Sequence, residues 1–144
     1  MEKILLLNGP NLNMLGKRNP QVYGTVNFET IEKRVRNFLV EHDISLESFQ
    51  SNHEGELIDA LHEADDNYSG IIFNPGAYSH TSIALRDAVE AISTPVVEVH
   101  ISNIYARESF RQYSYLAPVV SGQITGFGIE GYLMAAYSFL KKQS

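Results

Sequence analysis

The sequence predicts a doubly wound α/β sandwich built on a five-stranded parallel sheet. Three short apolar runs lack the alternation of half-exposed strands, which indicates burial on both faces, as in a parallel sheet. Segments with a helical repeat of apolar residues separate these runs. The chain has 144 residues, a length typical of one domain with a full core. We therefore expect a single domain over residues 1–144.

Five strands are expected along the chain. Three of them are the continuous apolar runs at residues 4–7, 70–73 and 95–99. Two weaker runs, at 45–49 and 119–124, complete the sheet. A flavodoxin-like strand order is expected for a domain of this size.

Helices are expected between and after these strands, and Asn27 has the side chain to cap the first of them. The apolar positions that recur at the helical period are Phe28, Ile31, Val35, Phe38 and Leu39, then Leu57, Ile58, Leu61 and Ala64, then Ile83, Leu85, Ala88, Val89 and Ile92, and finally Ile129, Leu133, Ala136, Tyr137 and Leu140. Each set forms an apolar stripe that can pack on the sheet.

Composition excludes several classes of function. The net charge of −6 argues against nucleic acid or an anionic membrane as the main partner, because both need a basic surface. With no cysteine in the chain, disulfides, thiolate metal sites and cysteine nucleophiles are excluded. The sequence has no apolar run of membrane-spanning length and no secretory signal pattern. We expect a cytoplasmic protein.

The loop after the first strand carries the strongest functional signal. Ligands of open α/β sheets bind outside the carboxyl ends of the strands, and this loop places Asn8, Asn11, Asn13, Arg18 and Tyr23 there. Asparagine does not titrate, so the asparagines can orient a ligand but cannot transfer a proton. A cation beside a phenol favours the phenolate and lowers its pKa from about 10. The arginine and the tyrosine are therefore a candidate base.

Polar residues follow the third and fourth strands as well. Asn74 and His80 come after the third strand, although Pro75-Gly76 could equally form a turn into the next helix. Glu98 and His100 lie on the same side of the fourth strand, where a carboxylate can orient an imidazole. A histidine satisfied at a strand end is the alternative. The remaining histidines, His42, His53 and His62, are expected on the surface.

The segment after the fourth strand could bind an anion. Ser102 and Asn103 can present a hydroxyl and consecutive backbone N–H groups to a carboxylate, although both are also common loop residues. Arg107 and Arg111 are further candidates, and either could instead pair with Glu108 on the surface.

Other chemistries have little support in the sequence. His80 and His100 are not spaced as ligands of a metal motif. The glycines at 122, 126 and 128 do not have the spacing of a phosphate-binding fingerprint. A Schiff base needs a desolvated lysine, and among the core strands lysine occurs at the start of the first, at Lys3.

Three segments resemble the type II 3-dehydroquinases, small lyases of the shikimate and quinate pathways. They are residues 8–24, NGPNLNMLGKRNPQVYG, residues 73–82, FNPGAYSHTS, and residues 98–103, EVHISN. The resemblance runs nearly end to end. It implies reversible anti dehydration of 3-dehydroquinate to 3-dehydroshikimate through an enolate, with no cofactor and no metal.

The resemblance also implies roles for individual residues. Tyr23 would be the base supported by Arg18, Asn11 would hold a water at the enolate oxygen, and His100 would be the acid oriented by Glu98 and Asn74. Ser102 and the backbone at Ile101 would bind the carboxylate, and His80 and Arg111 the ring hydroxyls. Family members are dodecamers built from trimers, so Asp87 would complete a neighbouring subunit's site.

The competing class is a non-enzymatic module on the same sheet, since fold does not determine function. A receiver domain needs clustered carboxylates after the first strand, where this chain has asparagines. A flavin carrier needs a hydroxyl- and glycine-rich phosphate loop at that place. A purely structural oligomer is the third alternative, and absence of turnover with 3-dehydroquinate would favour it.

Overall fold

The computed structural model describes residues 2–17 and 27–141. Within them, five strands form one sheet: β1 (Glu2–Asn8), β2 (Ile44–Gln50), β3 (Gly70–Asn74), β4 (Val96–His100) and β5 (Gly122–Thr125). Every pairing is parallel, and the strand order is β2-β1-β3-β4-β5. The predicted α/β class and flavodoxin-like order are both confirmed.

Four helices in the described part of the chain cover the sheet: α1 (Phe28–Val40), α2 (Glu54–Ala64), α3 (Ile83–Ala91) and α4 (Glu130–Lys141). Asn27 caps α1 as predicted, because its side chain accepts a hydrogen bond from the Thr30 amide at 2.9 Å. The helices α1 and α4 pack on one face of the sheet, and α2 and α3 pack on the other. None of the described helices is long and apolar enough to cross a membrane.

The last helix buries a stripe that matches the predicted one only in part: Ala136 is buried as predicted, and the predicted Ile129, Leu133 and Leu140 are half-buried against the core. Tyr132, Ala135, Ala136 and Phe139 are buried against the sheet, whereas Tyr137 is 51 % exposed. These buried positions follow the helical period, but apolar residues surround this helix on nearly every side. When apolar residues occur on every side of a helix, the sequence pattern does not show which side is buried.

Two segments near the carboxyl end also differ from expectation. Residues 119–121, predicted as the start of the last strand, form a turn in which the Val119 and Val120 amides donate to the Leu116 carbonyl at 2.9 and 3.1 Å. The helix-like pattern around residues 107–111 yields two short 3₁₀ turns, Ile104–Ala106 and Ser109–Arg111. At residues 119–120, local backbone hydrogen bonds of the turn therefore take the place of the expected strand pairing.

The sheet topology determines where the functional groups meet. The chain passes from β1 to β2 on one side and then to β3 on the other, so the strand order reverses at β1. Asn8 pairs with Asn74 at the ends of β1 and β3, and β4 lies beside β3. The loops after these three strands therefore converge at one edge of the sheet.

Candidate active site

The loops after β1, β3 and β4 enclose a cleft at the carboxyl edge of the sheet. Predicted site residues that line it are Asn11, Asn74, His80, His100, Ile101, Ser102 and Arg111. Arg107 lines the cleft as well. The topology therefore gathers groups that lie up to 100 positions apart in the sequence, between Asn11 and Arg111.

The first loop is fastened directly to the loop after β3. The Gly9 amide donates to the Asn74 carbonyl at 2.7 Å. A Cβ on Gly9 would lie 2.5 Å from the Pro75 carbonyl oxygen, so only glycine permits this approach. Asn11 follows in the left-handed region, at a φ of 70°, and its amide donates to Asn52 Oδ1 at 3.0 Å. The backbone of Asn11 is thereby held at the rim of the cleft.

A buried acid and imidazole pair lies at the end of β4. Glu98 and His100 are 0 % and 5 % exposed, and His100 Nε2 lies 2.5 Å from Glu98 Oε2. The contact that strand alternation predicts is present. Because Nε2 faces the carboxylate, Nδ1 is the ring nitrogen left for a ligand in the cleft.

His80 lies beside this pair. Its ring is stacked with that of His100, with centroids 6.1 Å apart, and its Nδ1 lies 2.8 Å from the Tyr113 carbonyl, which can only accept. Desolvation by burial lowers the pKa of His80, as do the nearby His100 and Arg111, against the raising effect of the Tyr113 hydrogen bond. A neutral ring that donates through Nδ1 presents Nε2 as an acceptor.

Asn74 takes part in a buried network below the cleft. Its Nδ2 donates to the Tyr132 hydroxyl at 2.8 Å, and its Oδ1 accepts from the Gly76 amide at 3.0 Å. The Tyr132 hydroxyl donates in turn to Asn8 Oδ1 at 2.7 Å. None of the described hydrogen bonds joins Asn74 to His100, so the expected orientation of the imidazole by Asn74 has no direct contact behind it.

Each of the two arginines both approaches Glu108 and lines the cleft, so the two alternatives that the sequence leaves open occur together. Arg111 Nε lies 3.2 Å and Arg107 Nε 3.7 Å from the Glu108 carboxylate, and both side chains also line the cleft. Arg107 Nη1 further donates to Ser102 Oγ at 3.3 Å. Guanidinium groups therefore border the part of the cleft in which a carboxylate is expected.

Of the predicted site residues that the structure describes, Glu98 and Asp87 do not line the cleft, and Glu98 reaches it only through His100. Arg18 and Tyr23 lie outside the described residues. Asp87 is exposed on α3 and does not line the cleft. Within 2–17 and 27–141, no cluster of three or more His, Asp or Glu is arranged to hold a metal ion. The other histidines, His42, His53 and His62, are exposed as predicted.

Sequence reasoning missed two buried residues that support the site. Tyr132 bridges Asn8 and Asn74, and Ser114 donates to Glu98 Oε2 at 2.7 Å. Tyr132 could have been found as a polar tip within the apolar repeat of the last helix. No local pattern marks Ser114, because its partner lies 16 positions earlier and the contact arises only from folding.

Comparisons with known proteins identify related sequences. The family model described as dehydroquinase class II matches residues 2–140. A Bacillus licheniformis protein named 3-dehydroquinate dehydratase is 60 % identical over 140 residues, which is 97 % of each chain. A protein of the same name from Bacillus subtilis is 56 % identical over 143 residues, which is 99 % of this chain and 97 % of that one.

A solved structure gives the same answer at the level of the fold. The crystal structure of type II dehydroquinase from Butyrivibrio crossotus superposes with a TM-score of 0.94 at 46 % identity, covering 96 % of this chain and 97 % of that one. Family model, sequence and fold thus coincide over nearly the whole length, and the chain belongs to the class II dehydroquinases, the type II 3-dehydroquinate dehydratases.

Proposed function

We propose a division of labour for the dehydration of 3-dehydroquinate to 3-dehydroshikimate, the hydro-lyase step of the shikimate and quinate pathways to which family membership assigns this chain. The reaction removes a proton from C2, α to the ketone, and the hydroxyl from C1. Anti elimination through an enolate needs a base and an acid on opposite faces of the ring. The proposed acid and base both belong to one catalytic domain, residues 1–144.

His100 is the proposed acid, which protonates the departing C1 hydroxyl through Nδ1. The observation that carries this assignment is the buried contact between His100 Nε2 and Glu98 Oε2 at 2.5 Å. A carboxylate in this position orients the imidazole and stabilises the protonated ring until the proton is transferred. The position of His100 in the lining of the cleft supports contact with substrate.

Tyr23 is the proposed base, with Arg18 favouring its phenolate. This assignment rests on the sequence, since both residues lie outside the described part of the chain. Asn11, at the rim of the cleft, would hold a water against the developing enolate oxygen. Donors arranged in advance for a developing charge are commonly a large catalytic effect.

The remaining cleft residues are proposed to bind the substrate. Ser102 and the backbone at Ile101 would bind the carboxylate, and the approach of Arg107 to Ser102 at 3.3 Å adds a positive charge there. His80, presenting Nε2 as an acceptor, and Arg111, presenting donors, would bind ring hydroxyls. Asn74 would hold the loop after β3 in position through the Gly76 amide.

The assembly is proposed to be a dodecamer of trimers in which Asp87 reaches a neighbouring subunit's site. The exposure of Asp87 on α3, away from its own cleft, supports this arrangement. No nucleic acid or membrane is proposed as a partner. Cytoplasmic residence stays a prediction, which cell fractionation would test.

The division of labour can be tested by separating its two half-reactions. Purified wild-type protein should convert 3-dehydroquinate to a product with the ultraviolet absorbance of an enone. His100→Ala should stop dehydration but still exchange the substrate C2 hydrogen with solvent, because the base remains, whereas Tyr23→Phe should lose both. His62→Ala, which removes an exposed histidine of α2, is the control and should behave as wild type.

Two results would contradict the assignment. Loss of C2 exchange in a folded His100→Ala variant would show that His100 serves binding or the base. Substantial turnover by a folded Tyr23→Phe variant would remove the tyrosine from its role.

A further inference from the structure

Three consecutive residues after the 3₁₀ turns contact the site from outside. The Tyr113 carbonyl accepts from His80 Nδ1 at 2.8 Å, and the Tyr115 amide donates to the Ser79 carbonyl at 2.8 Å. Between them, Ser114 donates from Oγ to Glu98 Oε2 at 2.7 Å. The segment 113–115 therefore fastens the loop after β3 and reaches the acid-imidazole pair of β4.

The direction of the Ser114 hydroxyl is determined by its own environment. The amides of Leu116 and Ala117 both donate to Ser114 Oγ, each at 3.2 Å. A hydroxyl has two acceptor positions and one proton. With both acceptor positions filled by amides, the proton has to point at Glu98, and Ser114 cannot accept a proton from that carboxyl.

Glu98 consequently accepts from Ser114 at Oε2. Two groups converge on that oxygen: the Ser114 hydroxyl, which donates at 2.7 Å, and His100 Nε2, which lies 2.5 Å away. The second oxygen, Oε1, is buried and has no hydrogen-bond partner among the described residues. Each hydrogen bond that the described residues make to this carboxylate thus runs through Oε2, and Ser114 supplies one of them.

We propose that Ser114 is a positioning residue for the proton donor. By holding Glu98 as an acceptor, it keeps the proton of neutral His100 on Nε2. Nδ1 then faces the cleft, takes up the second proton when the ring becomes protonated, and gives that proton to the departing hydroxyl. Ser114 does not line the cleft and acts only through Glu98. The proposal rests on the assignment of His100 as the acid.

The first test reads the histidine tautomer without turnover. In wild-type protein labelled with ¹⁵N-histidine, NMR at a pH where His100 is neutral should show a protonated Nε2 and an unprotonated Nδ1. Ser114→Ala should shift this population toward a mixture, and Ser114→Thr, which retains a hydroxyl, should restore it. A wild-type ring protonated on Nδ1 would overturn the proposal even if Ser114→Ala fails to fold.

The second test is kinetic. Ser114→Ala should lower kcat by about tenfold or more, as expected for a lost hydrogen bond to a charged group, with KM and C2 exchange little changed. Ser114→Thr should recover most of kcat. The control is Thr94→Val, because the Thr94 hydroxyl also donates to a carboxylate, Asp65, and accepts from an amide, that of Asp66, but at the opposite edge of the sheet.

A double variant separates positioning from general structural support. In a Glu98→Gln background, Ser114→Ala should cause no further loss of kcat, because the group it acts through has already changed. A full additional loss, or wild-type kcat in a folded Ser114→Ala variant, would overturn the proposal. If His100→Ala retained dehydration, the proposed acid itself would be wrong, a result that is distinguishable from failure of Ser114 alone.

Discussion

At the scale of single residues, the lowered pKa of His80 predicts that the free energy of unfolding depends on pH. Burial lowers its pKa below the ordinary 6.5, so below pH 6.5 the unfolded chain binds a proton that the folded protein does not. The free energy of unfolding should therefore fall as pH drops through 6.5 and level off below the folded-state pKa. Denaturant unfolding of wild type and His80→Gln should be measured across this pH range. The decrease in the free energy of unfolding that is due to His80 should appear in the wild type and be absent from His80→Gln.

The same titration can be followed directly. The His80 ring signals, assigned by their absence in His80→Gln, should titrate below 6.5 in NMR. A midpoint at or above 6.5 would contradict the dominance of desolvation over the Tyr113 hydrogen bond.

The Tyr132 hydroxyl should be needed for both stability and activity. Burial raises the pKa of Tyr132, so the hydroxyl stays a donor to Asn8 and an acceptor from Asn74. Tyr132→Phe leaves two buried amide groups without this partner, at a cost of about 1–3 kcal/mol. We expect a lower urea midpoint and reduced kcat, because Asn74 lines the cleft.

Tyr137→Phe is the matched control on the same helix, since Tyr137 is 51 % exposed. A change of stability within about 0.5 kcal/mol is expected there. If Tyr132→Phe and Tyr137→Phe changed the free energy of unfolding equally, the hydrogen bonds of Tyr132 to Asn8 and Asn74 would make no specific contribution to stability.

At the scale of elements, the junction between the loops after β1 and β3 depends on Gly9. An added Cβ would lie 2.5 Å from the Pro75 carbonyl oxygen, and this backbone cannot give way without moving Asn74. Gly9→Ala should cost about 1–3 kcal/mol from overpacking and should lower kcat/KM. Thermal unfolding and steady-state kinetics measure the two effects.

Gly55→Ala tests the same substitution where space is available. Gly55 lies in α2, and a Cβ there meets nothing within 4 Å, so alanine should stabilise the helix by about 0.5–1 kcal/mol. If Gly9→Ala were tolerated equally well, close approach of the two loops would not be what requires glycine.

At the scale of the whole molecule, Asp87 tests whether sites are shared between subunits. Asp87→Ala should raise KM while leaving the circular dichroism of the subunit unchanged, because the side chain is exposed on α3. Mixing Asp87→Ala with Tyr23→Phe under conditions of subunit exchange should create some sites with both wild-type groups and so recover activity. A fully active monomer in sedimentation analysis would exclude sharing.

Much of the fold could be predicted because burial on both faces leaves a clear mark in sequence. The runs at 4–7 and 70–73 carry no alternation and lie within β1 and β3. The last helix was harder, since apolar residues occupy several of its faces and only packing selects Tyr132 over Tyr137. Residues 119–121 precede the strand because the Val119 and Val120 amides donate to the Leu116 carbonyl and so form a turn, after which the Ser121 amide donates to the Val96 carbonyl.

The sequence by itself determined the sheet, its likeness to a family and the chemical types gathered in three loops. It placed Glu98 and His100 on one side of a strand because strand geometry repeats every two residues. Tertiary structure alone decided which groups are in contact. These contacts are the Tyr113 carbonyl with His80, the Ser114 hydroxyl with Glu98, and the Tyr132 hydroxyl with Asn8 and Asn74. Such contacts join residues 16 to 124 positions apart, and local periodicity carries no information about partners that only chain folding brings together.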